Sequence, residues 1–413
     1  MHKTSAPLFT PVLVAASLIL LVAFGIRASF GLFQIPIAEQ FNWPRAEFSM
    51  AIAIQNLAWG FGQPIFAAIG EKFGDRRAII LGAIAYAGGL ALSAWATTPL
   101  GHQLLNIVIG FGIAGTGFGV ILAVVGRAAS DENRSMALGI ATAIGSAGQF
   151  AGPLIADVLL RFMDWSGVFL VFAVVVLATI LLTPILRGIE KPSSGDDGVS
   201  MMSALKEALK DPSFTFIFLG FFSCGYQLGF VTAHFPAFIT EVCGPVAPGG
   251  ILDGLGISTT SAVGALSIGL IGIANIGGTL MAGYVGKYIN RKYVLSLVYL
   301  GRTIAATLFI MTPMTPTTVI VFSLVMGSLW LATVPLTSGL IAQIYGVKYM
   351  GTLYGIVFFS HQVGSFMGVW LGGELYDVSG TYNLVWWVGI GVGAFSALIH
   401  LPVRNTPLRM AAV

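Results

Sequence analysis

Twelve apolar runs, each long enough to cross a lipid bilayer, constrain this chain more than anything else in it. Charge, Pro and Gly set their edges at 11 to 39, 47 to 70, 78 to 97, 102 to 126, 135 to 160 and 166 to 186. After a polar interval the pattern resumes at 213 to 240, 258 to 285, 293 to 312, 315 to 342, 350 to 374 and 383 to 402. A span needs roughly 20 apolar residues, and in hydrocarbon every backbone polar group must be satisfied internally. The runs predict an all-α membrane protein of twelve transmembrane helices. Composition agrees, because only 9% of the 413 residues are charged and 56% are hydrophobic, where a soluble domain carries about 25% charge. A nucleic-acid binder, a disulfide scaffold and a disordered chain are excluded. Pro36, Pro64, Pro153, Pro236 and Pro335 lie inside the runs and are compatible with helix, since neighbouring helices re-satisfy the freed groups.

An even number of spans puts both termini on one side, and Lys and Arg mark the cytoplasmic flanks. With both termini cytoplasmic, 16 of the 20 cations fall inside, among them Lys3, Arg187, Lys191 and Arg409, while only Arg45 and Arg161 fall outside. The expected place is the cell inner membrane. The stretch before the first run has no clear small-residue cleavage site and reads as the flank of an uncleaved span. Cys224 and Cys243 are too few for a framework and read as structurally incidental. The five His are dispersed without metal-ligand spacing, and there is neither a Walker-type loop nor a cluster of nucleophile and base. No metal, no cofactor, no nucleic-acid partner and no enzymatic activity are expected.

The interval divides the chain into a six-helix bundle at 1–187, a linker at 188–212 and a second six-helix bundle at 213–413. Its amphipathic stretch, with Met201, Met202, Leu205 and Leu209, is expected on the inner membrane surface. The halves repeat each other: Gly139, Gly148 and Gly152 recur 216 positions on as Gly355, Gly364 and Gly368. Lys72 to Arg77 recurs at an offset of 215 as Lys287 to Lys292, and Gly25, Arg27, Phe30, Gln34 and Pro36 align at 200 with Gly225, Gln227, Phe230, His234 and Pro236. Duplication of a six-helix unit is a signature of secondary transporters with a substrate site between the repeats near the midplane.

Over its whole length the chain resembles the major facilitator superfamily. Gly70-Glu71-Lys72-Phe73-Gly74-Asp75-Arg76-Arg77 is similar to that family's loop between spans 2 and 3, with Glu71 where the family usually has Asp and with Asp75 interrupting the basic run. Gly139, Gly148, Gly152 and Pro153 resemble its fifth-span motif, commonest in antiporters. Arg27 to Phe33, Gln55-Asn56-Leu57-Ala58-Trp59-Gly60 with Gln63-Pro64, and Phe358-Phe359-Ser360-His361-Gln362 resemble the prokaryotic branch near the monocarboxylate transporters and oxalate/formate exchangers. Those relatives carry a cation in span 8, where this chain has Asn275 and Gly278. The resemblance implies alternating access, a monomer, and a cavity lined by spans 1, 4, 7 and 10.

Two cations, Arg27 and Arg302, fall at bilayer depth, and none of the 17 acids does. An intramembrane Arg is expensive and is a functional hypothesis by default, and a guanidinium offers a bidentate fork to a carboxylate. Arg27 is therefore the expected anchor for a small anionic substrate, with packing against backbone or amide groups as its alternative role. Tyr226, Gln227, His234, Arg302, Trp330, His361 and Gln362 are further substrate-site candidates, and packing is an equal alternative for Arg302. His361 and His234 are the candidates for carrying a proton, since His titrates near neutrality. Glu71, Arg76, Arg127 and Arg134 are expected to gate the cytoplasmic face, with Glu71 pairing to Arg127 or Arg134. The glycine motifs read as close-approach surfaces. The function expected is secondary transport of a small organic anion by proton symport or anion exchange. A proton-coupled exporter of drugs or amphipathic metabolites and a membrane sensor on a transporter scaffold are the alternatives.

Overall fold

The structure, a computed structural model, describes residues 7–43, 45–186 and 200–408. Lys3, Arg409 and the interval around Arg187 and Lys191 lie outside the described residues. A first set of helices comprises α1 (Pro11–Ser29), α2 (Gln34–Phe41), α3 (Arg45–Phe73), α4 (Asp75–Ser93), α5 (Pro99–Thr116), α6 (Phe118–Ala128), α7 (Arg134–Leu160) and α8 (Trp165–Ala178). The amphipathic stretch forms α9 (Met201–Lys210), with Ala204 and Ala208 buried and Met202 and Leu209 exposed. The second set is α10 (Pro212–Val242), α11 (Ile251–Gly254), α12 (Thr260–Tyr288), α13 (Arg291–Met311), α14 (Pro316–Leu329), α15 (Thr333–Tyr345), α16 (Met350–Ser379) and α17 (Asn383–Ile399). Among the described residues all regular structure is helical, and nine helical segments are long and apolar enough to cross a membrane. The other three expected spans, 47 to 70, 350 to 374 and 383 to 402, coincide with α3, α16 and α17.

Local sequence explains where the helices start. Thr10-Pro11, Thr98-Pro99, Asp211-Pro212 and Thr315-Pro316 each place a capping oxygen before a proline in the first turn. The cap satisfies an orphan amide and the proline has none to lose. Spans four and ten are both broken, at Gly117 between α5 and α6 and at 330–332 between α14 and α15. The break thus recurs one repeat later.

The helix ends that carry the basic loops are tied together by their side chains. Arg127 at the end of α6 meets Asp75 at the start of α4 at 2.6 Å, and Lys287 on α12 meets Glu132 before α7 at 3.2 Å. Asp211 at the start of α10 accepts the Tyr345 hydroxyl at 2.9 Å and lies 3.2 Å from Arg404. We call this the basic end.

The repeated glycines divide their work. Gly148 and Gly152 leave no room for a Cβ against the Leu21 and Gly25 carbonyls of α1, and Gly364 and Gly368 do the same against Phe222 and Tyr226 of α10. These crossings stay within one set, and α7 packs on α1 as α16 packs on α10. The first glycine of each motif instead crosses between the sets. A Cβ on Gly139 would sit 2.8 Å from Gly283 Cα on α12, and one on Gly355 would sit 2.7 Å from Pro64 on α3. Glycine at such positions lets helix backbones approach where lipid supplies no hydrophobic drive.

Candidate functional site

Arg27 lies in the last turn of α1 and is half-buried. Its Nη2 donates to Asn56 Oδ1 at 2.7 Å, and its guanidinium carbon lies 4.7 Å from the Trp59 ring centroid. Asn56 and Trp59 are three apart on α3 and share one helical face. The partners are an amide and an indole, both neutral, and Nε is buried with no hydrogen bond. Among the described residues no ion pair engages this cation. Trp59 is fixed by its own Nε1 donating to Gln63 Oε1 at 2.6 Å, and Gln63 reaches the Ala114 carbonyl at 3.3 Å beside the α5–α6 break.

The second set meets this cluster through α16. Phe358 lies 4.8 Å from Trp59 between centroids, Gln362 Nε2 donates to the Asn56 carbonyl at 3.3 Å, and Gly60 leaves room for the Gln362 side chain. His361 stacks on Phe358 at 5.2 Å with the rings only 10° apart. Arg27, Gln362 and His361, three of the residues expected at the site, are therefore linked through Asn56, Trp59 and Phe358. Asn56 and Trp59 were visible in the sequence only as part of a family-like stretch. A polar and an aromatic residue at i and i+3, opposite an intramembrane Arg, is the signal that would have found them.

Arg302 has other work. It is 0% exposed, with Nε donating to the Leu329 carbonyl at 3.0 Å and Nη2 to the Leu329 and Trp330 carbonyls. These acceptors are freed by the α14–α15 break, and from α12 Asn275 accepts the Leu331 amide at 2.9 Å. Asn275, which stands where relatives carry a cation, and Arg302 together hold the break open. Trp330 takes part through its carbonyl. Gln227 donates to the Gly389 carbonyl at 3.1 Å and faces Gly393 and Thr303, so it packs α10 on α17. His234 bonds the Val369 carbonyl at 2.9 Å and stands 3.4 Å from the Tyr382 hydroxyl, stacked on Phe230. Tyr226 is buried beside Gly389, its hydroxyl without a partner. The structure does not bring these residues to Arg27. Their spacing on α10 is helical, but the face they occupy turns toward α16 and α17.

At the basic end the expected pairing is corrected. Arg127 Nη2 bonds both oxygens of Asp75 at 2.6 Å, and Arg134 pairs with Asp131 at 2.6 Å and donates to the Gly126 carbonyl at 2.9 Å. Glu71 crosses to the second set, accepting the amides of Gly351 at 2.6 Å and Thr352 at 3.1 Å, and the Thr352 hydroxyl. A carboxylate is favoured there because the first turn of α16 presents unpaired amides and the positive end of the helix dipole. Asp75 wins Arg127 because it opens α4 directly across from the end of α6. Arg76 is half-buried, with Nε unpartnered. Just past its span, Glu71 has its carboxyl pushed up to about 7 by burial, against the hydrogen bonds from Thr352 and Gly351 and the nearby charge of Arg127.

The sequence matches the family described as the Major Facilitator Superfamily over residues 15–273. The chain belongs to the Major Facilitator Superfamily. It is similar to monocarboxylate transporter 13 of Bos taurus, 26% identical over 396 residues covering 92% of this chain and 86% of that protein. It is also similar to the uncharacterized MFS-type transporter YcxA of Bacillus subtilis, 24% identical over 91% of this chain and 90% of that one. Among solved structures, the E. coli fucose:proton symporter FucP aligns with a TM-score of 0.71 at 16% identity, over 97% of this chain and 100% of that chain. At that identity the likeness shows the fold. As a superfamily member the protein is a multi-pass secondary transporter and not an enzyme.

Proposed function

We propose that this transporter moves a small organic anion, a monocarboxylate first of all, through a site centred on Arg27. The observation that carries the reading is the state of Arg27: a half-buried guanidinium at bilayer depth, held by a neutral amide and an aromatic face, with no carboxylate among the described residues paired to it. A cation so placed costs about 2.5–3.5 kcal/mol or more, and a bound carboxylate offsets this while accepting charge-assisted hydrogen bonds. The relative named a monocarboxylate transporter supports the same class.

In this reading the chain crosses the inner membrane twelve times as two six-helix halves joined by 188–212, with both termini cytoplasmic, and works as a monomer. The two sets touch from the middle to the basic end, through Gln362 and Asn56, Gly355 and Pro64, Gly351 and Glu71, and Gly283 and Gly139. Closure there fits a conformation with the cytoplasmic gate shut. Coupling is by proton symport or anion exchange. The fifth-span glycines, which suggest an exporter, pack on α1 through Gly148 and Gly152 and on α12 through Gly139.

The test is uptake of radiolabelled lactate and acetate into proteoliposomes, with a pH gradient or with unlabelled carboxylate inside. Arg27→Ala is expected to lower uptake by roughly tenfold or more, the equivalent of one charge-assisted hydrogen bond at about 1.5–3 kcal/mol. Arg27→Lys recovers only part of it, because an ammonium lacks the planar fork. Normal carboxylate uptake by Arg27→Ala overturns the site.

A further inference from the structure

Gln55 and Asn56 are neighbours on α3, and the helix turns their amides in different directions. Gln55 Nε2 donates to Asn106 Oδ1 of α5 at 2.8 Å, and Asn106 Nδ2 donates in turn to the His102 carbonyl at 2.8 Å, all of it buried. The Gln55 amide thus packs α3 on α5, where Gly110 lets the backbones close. Asn56, about 100° further round the helix, faces α1 and accepts Arg27 Nη2 at 2.7 Å. Its main chain is steadied from the other set. Gly60 leaves room for Gln362, whose Nε2 donates to the Asn56 carbonyl at 3.3 Å.

The kind of partner sets Arg27 apart. Arg127, Arg134 and Arg404 lie against Asp75, Asp131 and Asp211, and Arg302 is held by the carbonyls of a broken helix. Arg27 instead meets the amide of Asn56 and the ring of Trp59, and its Nε is buried without a hydrogen bond. Asn differs from Asp by one atom, an amide nitrogen in place of an oxygen. A carboxylate at position 56 would therefore reach the same guanidinium and cancel its charge. Leaving a cation uncompensated away from water lowers stability, and sacrifices of this kind are found where function requires them.

We infer that Asn56 determines the charge of the substrate: it orients the guanidinium of Arg27 and, being neutral, leaves the positive charge to be matched by the transported anion. The inference rests on the anion-transport reading and adds to it the residue that keeps the site open to anions. Asn56 is a positioning residue that acts through Arg27. Of the five guanidinium donors, its oxygen takes one on Nη2, the donor on Nε is unused, and Trp59 engages the cation through its ring face without taking any. Donors remain for a carboxylate. An acid in place of Asn56 would be an intramolecular ligand that dissolved carboxylates have to displace.

The test compares wild type with Asn56→Asp, Asn56→Ala and the double variant Asn56→Asp/Arg27→Ala in the whole chain. Thermal unfolding is followed with and without acetate or lactate, and uptake of the same radiolabelled acids is measured in proteoliposomes. In Asn56→Asp, stability and transport are expected to move in opposite directions. The ligand-free melting temperature rises, added carboxylates no longer raise it further, and uptake falls by roughly tenfold or more, as in Arg27→Ala. Without Arg27 the same acid has no cation to meet, and the double variant melts below Arg27→Ala. Asn56→Ala, which removes the holder and adds no charge, is expected to raise the KM for carboxylate several-fold and to leave the maximal rate. A residue that only packed α3 on α1 would lower the melting temperature in both single variants. Asn56→Asp that carries carboxylates with the wild-type KM overturns the inference, and should that variant not fold, a wild-type KM in Asn56→Ala overturns it. Wild type that neither binds nor carries a carboxylate overturns the anion reading instead. The melting temperatures then decide the pairing by themselves: a rise on Asn56→Asp only when Arg27 is present supports it, and an equal change in both backgrounds overturns it.

Discussion

Glu71 on α3 and Gly351 on α16 come from opposite halves of the sequence, and the carboxylate of one accepts the backbone amide of the other at 2.6 Å. The contact caps a helix that has no cap of its own, since Tyr349 before α16 makes no capping hydrogen bond with its side chain. Opening the basic end must break it.

Glu71→Ala, which leaves the Gly351 and Thr352 amides without an acceptor, is therefore expected to favour opening of the basic end. A buried amide left without a partner costs about 1–3 kcal/mol, so roughly a tenfold shift in the closed-to-open ratio follows. Spin labels on the ends of α3 and α16, with their distance distribution measured for both proteins, check this. The pH dependence has a definite sign. The carboxyl stands at about 7 with the end closed and near about 4.3 when freed to water, so the closed state binds the extra proton between those values. Acidification through that window favours closure, and Glu71→Ala lacks the response. Identical distance distributions in the two proteins would sink the latch.

Gly152→Ala is expected to be badly tolerated, because its Cβ would meet the Gly25 carbonyl, and backbone cannot step aside as a flexible side chain does. Overpacking of this kind costs about 1–3 kcal/mol. Gly88→Ala, with nothing within 4 Å of the added carbon, is expected to be neutral or stabilising by about 0.5–1 kcal/mol. Thermal unfolding of the two purified variants separates them, and equal melting temperatures would count against glycine packing as the basis of the motif.

Asn275→Leu removes the acceptor of the Leu331 amide. A buried amide left without a partner costs about 1–3 kcal/mol, and the variant is expected to melt several degrees lower. Asn275→Asp retains an acceptor, so it distinguishes loss of the hydrogen bond from a change of side chain at this position. A melting temperature unchanged in Asn275→Leu would mean that Arg302 alone holds the break.

Trp59→Ala takes away the ring under Arg27 and the contact to Phe358. A desolvated cation–π contact is worth about 2 kcal/mol. Uptake assays are expected to show a KM for carboxylate raised by roughly tenfold, with Trp59→Phe close to wild type. A variant that changes the maximal rate and leaves KM alone would place the ring in conformational change and not in binding.

Much of this was legible in the sequence, for reasons that are local. Apolar run length positioned the helices, Thr or Asp before Pro marked several of their starts, and the recurrence of Gly139, Gly148 and Gly152 as Gly355, Gly364 and Gly368 showed the repeat. Arg27 stood out because charge is costly in hydrocarbon wherever it lies along a span. Which way a helix face turns is another matter. Tyr226, Gln227 and His234 share the helix that was expected to line the cavity, yet the glycines of α16 and α17 draw them into packing. Partner choice was equally hidden. Whether Arg127 takes Glu71 or Asp75, and whether Arg302 meets a substrate or the carbonyls of a broken helix, depend on groups 27 to 280 positions apart brought to within 4 Å. One-dimensional periodicity carries the burial of a residue, whereas its chemistry is set by neighbours that only the folded bundle supplies.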